Sequence, residues 1–192
     1  KAQSKNLKDL VIDKSWTLFL DRDGVINKKI DGDYVRSWKQ FKFLPNVLDA
    51  LKTLDGIFGK IIIVTNQRGI GIGLMTEEDL KEIHEMMLSK FKRNGIRIDS
   101  IYYCPHDYEK EICNCRKPAP GMALQAKKDF PNIDFRRSVS VGDSFSDIEF
   151  GKNLGMITVL LTNHEFDNCF ADFCFRDLFD FSKALEEISN TI

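Results

Sequence analysis

Two aspartates one residue apart follow a short apolar run near the start of the chain, where residues 16–20 lead into Asp21, Arg22, Asp23 and Gly24. Such a run is typical of a strand buried on both faces of a parallel sheet, and these sheets bind ligands just past the carboxyl ends of their strands. Two carboxylates so close repel each other unless a cation lies between them, and Mg²⁺ prefers oxygen ligands. The pattern predicts a magnesium site at a strand end, with an Asp-Gly hairpin turn as the alternative.

A second group of potential metal ligands contains three cysteines and a histidine. Cys104, His106, Cys113 and Cys115 follow the pattern Cys-x-His-x₆-Cys-x-Cys. Three thiolates and one imidazole complete a tetrahedral Zn²⁺ site and leave no open position, so the metal would be structural. Two disulfides or free thiols are the alternative. We therefore expect a zinc-binding loop at residues 104–115, called the cysteine loop below.

The cysteines also bear on the compartment in which the protein works. The chain has five of them, and an odd number with three in one cluster favours a metal site in a reducing, cytoplasmic setting over a set of disulfides. Cys169 and Cys174 lie outside the cluster and are expected to be buried, inert thiols.

Strands that alternate with helices would position these groups. Thr65 and Asn66 end one predicted strand, Cys104 follows another, and Asp143 ends a third. The predicted strands are residues 16–20, 60–67, 99–103, 138–143, 156–161 and 170–175, and the predicted helices are residues 45–54, 77–94, 122–130, 147–154 and 181–188. This alternation predicts an α/β fold with a doubly wound, Rossmann-like parallel sheet and no large cap domain.

The organisation of the chain follows from this order. Residues 16–192 would form a single domain, and the polar residues 1–15 a lead-in or linker. Residues 24–44 would be either a flap over a strand end or a plain surface connection. The glycine-rich stretch 69–73 would be a flexible loop whose backbone approaches a ligand.

Composition narrows the classes of function. The chain has 192 residues, 43% of them hydrophobic, which is enough for one full core. Its net charge of -1 implies no basic face, so nucleic acid is not an expected partner. Apolar runs are too short for a membrane span, and the first residues lack the apolar segment of a signal peptide. We expect a monomer that binds no membrane.

Four motifs in this order resemble the haloacid dehalogenase superfamily in its phosphatase branch: Asp-x-Asp-Gly, Thr-Asn, a basic Lys, and Gly-Asp-x-x-x-Asp. The resemblance implies the fold of that superfamily and a phosphomonoesterase whose partner is a small phosphorylated substrate. Asp21 would be the nucleophile and Asp23 the general acid and base. Mg²⁺ would be held by Asp21, the main-chain carbonyl of Asp23, and Asp143. Thr65 and Lys117 would bind the phosphoryl group.

The Cys-Pro-His, Cys-x-Cys-Arg-Lys-Pro and Thr-Asn-Gln segments are similar to those of the D-glycero-D-manno-heptose 1,7-bisphosphate 7-phosphatases. Histidinol-phosphate phosphatases share this loop and remain an alternative, and polynucleotide 3′-phosphatases are a more distant one. The resemblance implies these substrate contacts: Asp31, Tyr34, Asn66, Gln67, Arg68 and Arg116. Ile72 and Ser144 replace basic residues common in the heptose enzymes, so a second phosphate would need Lys28, Lys29 or Arg68.

Overall fold

A computed structural model describes residues 5–164 and 169–191, so residues 1–4 of the expected lead-in lie outside the described part. The strands are β1 (Thr17–Leu20), β2 (Lys60–Asn66), β3 (Ser100–Cys104), β4 (Ser138–Gly142), β5 (Ile157–Leu161) and β6 (Phe173–Phe175). They form one sheet in the order β3–β2–β1–β4–β5–β6. Every neighbouring pair is parallel, which confirms the predicted α/β class.

Helices cover both faces of the sheet, as a parallel sheet requires. They are α1 (Val47–Ile57), α2 (Arg68–Gly71), α3 (Glu77–Arg93), α4 (Gly121–Asp129), α5 (Phe145–Asn153) and α6 (Leu178–Ser189). Because side chains alternate along a strand, Leu18 and Leu20 join the core under α1, α3 and α6, whereas Phe19 joins the core under α4 and α5. Within the described residues, no helix is long and apolar enough to cross a membrane.

The chain reverses its direction of winding at β1. Strands β2 and β3 lie on one side of β1, and β4, β5 and β6 lie on the other. Leu20 pairs with Val141 of β4, and the backbone N–H of Asp21 donates to the Val141 carbonyl at 3.0 Å. Ligands bind at such a switch point, so the residues after β1 and β4 form the natural floor of a site.

The segment between β1 and α1 folds back over the strand ends. Its two arms are joined by Lys28 N–H to the Lys42 carbonyl at 2.8 Å and by Leu44 N–H to the Ile26 carbonyl at 3.0 Å. The Tyr34 ring packs against Gly69 beyond β2, where an added Cβ would lie 2.9 Å from the ring. Of the two possibilities for residues 24–44, the structure therefore favours the flap.

Two local expectations were wrong. Residues 69–73 are not a free loop, because Arg68–Gly71 forms one helical turn and Gly71 packs so tightly that a Cβ would lie 2.6 Å from the Asp107 nitrogen. Cys169 and Cys174 are half-buried and joined in a disulfide, because the return into β6 brings their Cα atoms to 6.3 Å.

The end of the sheet also differs from expectation. The last strand starts at Phe173 and not at residue 170, because the Asp172 carboxylate turns to accept a hydrogen bond from Thr158 N–H at 2.9 Å. Helix α6 starts three residues before the predicted position, because the Asp177 side chain caps it by accepting from Asp180 N–H at 2.8 Å.

Candidate active site

Three carboxylates from separate parts of the chain meet at the carboxyl edge of the sheet. Asp21 follows β1, Asp143 follows β4, and Asp147 lies in the first turn of α5. One oxygen of each lies within 4.8 Å of the others. The positions of Asp21 and Asp143 after strands predict this meeting, and the structure brings the two side chains together.

Lys117 is the buried cation among these carboxylates. Its side chain is 2% exposed, and Nζ donates to Asp21 at 3.0 Å, to Asp147 at 2.7 Å and to the Val64 carbonyl at 2.7 Å. Burial alone would lower the pKa of Lys117, but the negative charges of Asp147 and Asp21 more than offset it and raise the pKa. The ammonium group therefore stays charged, with its three donors directed at three fixed acceptors.

Negative charge still exceeds positive charge at this edge. Burial, followed by the charge of Asp147, raises the pKa of Asp21, and burial also raises the pKa of Asp143. Oδ1 of Asp143 is buried and lacks a hydrogen-bond partner among the described residues. A free, buried carboxylate oxygen beside a second carboxylate fits a divalent cation that takes oxygen ligands, such as Mg²⁺.

Gly24 makes room for this arrangement. Its φ of +87° lies in the left-handed region, and a Cβ at this position would overlap the Asp143 carboxylate. The Asp-Gly pair therefore ends the strand with a turn that only glycine can supply, and that turn admits Asp143 beside Asp21.

Asp147 differs from the other two acids because both of its oxygens already have partners. Oδ1 accepts from Lys117 at 2.7 Å, and Oδ2 accepts from the Ser144 hydroxyl at 2.8 Å and from Ser144 N–H at 3.2 Å in the capping box of α5. Its contacts suit it to hold Lys117 in place.

The Asp23 side chain lines the same cleft as the three carboxylates but is held by its own set of donors. Its oxygens accept hydrogen bonds from Arg22 at 2.9 Å, Asn27 at 2.8 Å and Gln67 at 2.9 Å. Burial alone would raise the pKa of Asp23, but the charge of Arg22 and these hydrogen bonds outweigh it and hold the pKa below its usual range. Sequence reasoning missed Arg22 and Asn27, although Arg22 is the variable residue of the Asp-x-Asp-Gly segment and Asn27 follows that segment by three residues.

Of the residues at the end of β2 and just after it, Asn66 lines the cleft, whereas Thr65 and Gln67 are buried and are not part of its described lining. Thr65 and Gln67 are each 1% exposed, and the Gln67 amide donates to the Thr65 hydroxyl at 2.9 Å. Asn66 accepts from Lys117 N–H at 3.0 Å and donates to its carbonyl at 3.2 Å, which joins β2 to the segment carrying Lys117.

A cleft of about 280 Å³ opens above the carboxylates. Tyr34, Asn66, Arg68 and Arg116 line it, as the substrate predictions require. Three other predicted substrate or phosphoryl contacts are absent from its described lining, namely Asp31, Thr65 and Gln67.

Asp33 and Lys29 also line the cleft. Asp33 was not predicted as a substrate contact, and Lys29 approaches Asp143 Oδ2 at 3.7 Å from an exposed position. Lys28 is exposed and is not part of the described lining. Of the three candidates for a second phosphate, the structure therefore brings Lys29 and Arg68 to the cleft.

Tyr108 of the cysteine loop holds two of the basic residues. The Arg68 and Arg116 guanidinium groups lie 4.2 and 4.6 Å from the centre of its ring, close enough for cation–π contact. Asp107 accepts from Arg68 at 2.8 Å, and Glu109 lies 3.0 Å from the same guanidinium group. Nothing in the sequence pairs Tyr108 or Asp107 with Arg68, since the contact depends on how the loop packs.

The cysteine loop also gathers its four potential metal ligands. Neighbouring Sγ and Nδ1 atoms of Cys104, His106, Cys113 and Cys115 lie 3.1 to 3.6 Å apart. Ligands held about 2.0–2.3 Å from one tetrahedral Zn²⁺ lie roughly 3.3–3.8 Å from each other, a range that includes the two longer distances and lies slightly above the two of 3.1 Å. The donor set and its spacing therefore fit a closed zinc site.

Comparisons with known proteins agree with this geometry. A family model described as HAD-hydrolase-like matches residues 114–169. The chain is 45% identical over 139 residues to a D-glycero-α-D-manno-heptose-1,7-bisphosphate 7-phosphatase of Mycobacterium bovis, covering 72% of this chain and 73% of the relative. It is 38% identical to the enzyme of the same name from Campylobacter jejuni, covering 92% and 95%. A β-anomer enzyme of Vibrio cholerae is 43% identical, covering 75% and 79%.

Solved structures show the same relationship. The D,D-heptose 1,7-bisphosphate phosphatase of B. bronchiseptica, complexed with magnesium and phosphate, matches with a TM-score of 0.77 and 27% identity, covering 90% of this chain and 98% of that one. The corresponding Burkholderia thailandensis enzyme matches with a TM-score of 0.64 and 26% identity, covering 89% and 98%. The chain therefore belongs to the heptose-1,7-bisphosphate 7-phosphatase family of haloacid dehalogenase-like phosphatases.

Proposed function

We propose that this protein removes the 7-phosphate from D-glycero-D-manno-heptose 1,7-bisphosphate in a Mg²⁺-dependent reaction. The observation that carries the proposal is the meeting of Asp21 and Asp143 beside the buried Lys117. The names of the relatives support the substrate. Asp21, the Asp23 carbonyl and Asp143 would hold Mg²⁺, which when bound neutralises charge between carboxylate and phosphate.

In the first half of the proposed reaction, a carboxylate oxygen of Asp21 attacks phosphorus and forms an aspartyl-phosphate. The bond between phosphorus and the sugar oxygen breaks, and that oxygen leaves with a proton from Asp23. Lys117 holds Asp21 at 3.0 Å and supplies positive charge to the phosphoryl group. Thr65 is proposed to donate its hydroxyl proton to a phosphoryl oxygen while its oxygen still accepts from the Gln67 amide.

In the second half, water attacks phosphorus while Asp23 accepts its proton. The bond between phosphorus and the Asp21 oxygen breaks, which releases phosphate and restores the Asp21 carboxylate. The three donors around Asp23 suit its ionised form, which is the form that accepts this proton. Gln67 is best placed to orient Asp23, whereas Asp31 stays a proposed substrate contact outside the described lining of the cleft.

The cysteine loop is proposed to bind a structural Zn²⁺ through Cys104, His106, Cys113 and Cys115. The four-ligand set leaves no open position for chemistry. Its function would be to hold Tyr108 and Asp107, and through them Arg68 and Arg116, at the wall of the cleft. A monomeric state, a cytoplasmic location and the lack of nucleic-acid binding stay predictions.

A substrate panel tests the proposed function. Purified protein with Mg²⁺ is assayed for phosphate release from both anomers of the heptose bisphosphate, from histidinol phosphate and from nicked DNA with a 3′-phosphate. We expect the heptose bisphosphate to give the highest kcat/KM, and Asp21→Asn to abolish turnover while the exposed Asp9→Asn control keeps it. Preference for histidinol phosphate or DNA ends would reject the substrate, and turnover by Asp21→Asn would reject the mechanism.

A further inference from the structure

Arg22 carries a charge that is buried beside the proposed acid–base residue. Its side chain is 0% exposed, and its guanidinium group donates to Asp23 at 2.9 Å. The same group lies 5.8 Å from the centre of the Phe41 ring, and its Nε lacks a partner among the described residues. A buried guanidinium with an unused donor depends strongly on each of its remaining contacts.

His84 supplies one of those contacts from the middle of α3. Its Nε2 lies 3.0 Å from an Arg22 terminal nitrogen, although 62 residues separate the two in the chain. A guanidinium group can only donate, so Nε2 must accept and the ring proton must lie on Nδ1. Burial and the neighbouring positive charge lower the pKa of His84 to about 3, which agrees with a neutral acceptor.

These contacts form a chain from helix to carboxylate: His84 holds Arg22, and Arg22 holds Asp23. We propose that His84 is a positioning residue, which accepts a hydrogen bond from Arg22 and so keeps the Asp23 carboxylate in its working orientation. The proposal rests on the proposed function of Asp23 as acid and base. His84 does not line the cleft and touches no reacting atom, so its effect must pass through Arg22.

Without His84, Arg22 would lose a buried hydrogen-bond acceptor. Loss of His84 would leave a second buried N–H group of Arg22 unsatisfied, beside the Nε that already lacks a partner. The guanidinium group would then move toward water or toward other oxygens, and Asp23 would lose a donor that now lies at 2.9 Å. Substrate binding at the cleft walls would be unaffected.

Substitutions at His84 separate positioning from folding. His84→Leu removes the acceptor, whereas His84→Gln keeps an amide oxygen of similar reach. We expect His84→Leu to lower kcat about 10-fold or more with KM nearly unchanged, and His84→Gln to restore most of the loss. Ile83→Ala, a neighbouring buried change in α3, is the control: it should lower the melting temperature but leave kcat within about two-fold at a temperature where the protein is folded.

Two further results would decide against the inference. If His84→Leu and His84→Gln lose kcat equally, or if kcat follows melting temperature across all three variants, His84 has only a structural function. In an Arg22→Met background, His84→Leu should change kcat no further, and an independent loss would overturn the proposal.

A spectroscopic measurement tests the contact without activity. The chain has three histidines, so ¹⁵N NMR spectra of wild type and His84→Gln assign the His84 signals. We expect Nε2 to be unprotonated and Nδ1 protonated from pH 5 to pH 8. An Nε2–H tautomer would overturn the inference even if the protein is an active phosphatase, whereas an inactive wild type with the expected tautomer would instead reject the proposed function.

Discussion

The ammonium group of Lys117 lets two carboxylates lie side by side in the protein interior. Asp21 and Asp147 are 14% and 3% exposed in their side chains, and each lies within 3.0 Å of Lys117 Nζ. Removal of one partner from such a buried pair leaves an uncompensated charge, which is far more costly than loss of a surface pair. Lys117 therefore contributes both to folding and to the proposed chemistry.

Lys117→Met should abolish phosphate release and lower the free energy of unfolding by about 3–5 kcal/mol. The reason is that two buried carboxylates would lose their shared cation. Urea denaturation and a phosphate-release assay measure the two effects, and the exposed Lys90→Met is the matched control that should change neither. A stable, active Lys117→Met protein would contradict this account of the carboxylate cluster.

Lys29 has a different function at the rim, where its side chain is 57% exposed. Lys29→Met should raise KM for the heptose bisphosphate about 10-fold through loss of one charge-assisted phosphate contact, with kcat little changed. The neighbouring Lys28→Met, whose side chain lies outside the described lining of the cleft, should leave KM unchanged. Steady-state kinetics of the two variants check this, and equal values of KM would show that Lys29 does not contact the substrate.

Sequence reasoning succeeds for residues whose function follows from local pattern. Asp21 and Asp143 each end a strand, and the edge of a parallel sheet is where such ends meet. It fails for Arg22 and His84, because their contact joins a loop to a helix 62 residues away. A lone histidine on a helix carries no signal of such a partner.

Among the elements, the cysteine loop lies between β3 and α4, and the two residues that follow it, Arg116 and Lys117, line the cleft. Cys104 ends β3, and Gly121 N–H donates to the Asn114 carbonyl at 2.7 Å, which closes the loop against the start of α4. Arg116 and Lys117 follow the last cysteine directly. Order in this loop therefore sets the position of the basic residues.

Cys113→Ser should reduce bound zinc, lower the melting temperature and raise KM by about 10-fold, because the loop would no longer hold Arg68 and Arg116 in place. Elemental analysis, thermal denaturation and kinetics measure the three effects. The adjacent Ile112→Ser is the control, since Ile112 is fully exposed at the loop tip. Absence of zinc from the wild-type protein, purified without chelators, would contradict the proposed site.

His84 of helix α3 should make the free energy of unfolding depend on pH. Its pKa is about 3 in the folded chain against an ordinary value of 6.5, so below pH 6.5 the unfolded chain takes up a proton that the folded chain does not. Stability should therefore fall with decreasing pH by up to about 1.4 kcal/mol per pH unit from this group, down to about pH 3.

His84→Gln should flatten that fall, and urea denaturation from pH 7.5 to pH 4.5 measures it. Replacement of the exposed His164 by Gln is the control and should leave the slope as in wild type. Charged neighbours are kept in both variants; these are Arg22, Asp23, Glu77, Glu78, Lys81, Glu85 and Asp99. An unchanged slope in His84→Gln would show that His84 is protonated in the folded state.

The ends of helices and strands can be predicted from the sequence only where they depend on residues close together in the chain. The capping box of α3 joins Thr76 and Asp79, which lie only three residues apart, so a local sequence pattern is enough to reveal it. The start of β6 was misplaced, because it depends on a contact between Asp172 and Thr158 across the sheet edge. The turn Arg68–Gly71 was missed because its glycines serve tight packing, Gly69 against the Tyr34 ring and Gly71 against the cysteine loop.

At the scale of the whole molecule, the parallel sheet determines where the residues of the candidate active site lie. The reversal at β1 puts the ends of β1 and β4 side by side, and residues of the flap, of α2 and of the segment after the cysteine loop line the resulting cleft. The α/β class was predictable, since alternating buried strands and amphipathic helices leave few other arrangements. The Cys169–Cys174 disulfide was not predictable, because only the path of the chain into β6 brings those two residues together.

The central claim is that Asp21 takes the phosphoryl group from the substrate at this switch point. The most direct measurement is acid quenching of the protein during turnover with Mg²⁺ and heptose bisphosphate, followed by mass spectrometry of its peptides. We predict one added phosphoryl group on the peptide that contains Asp21, located at Asp21 by fragmentation and absent from Asp21→Asn. Phosphate release with an unmodified Asp21, or a phosphoryl group on another residue, would contradict the account.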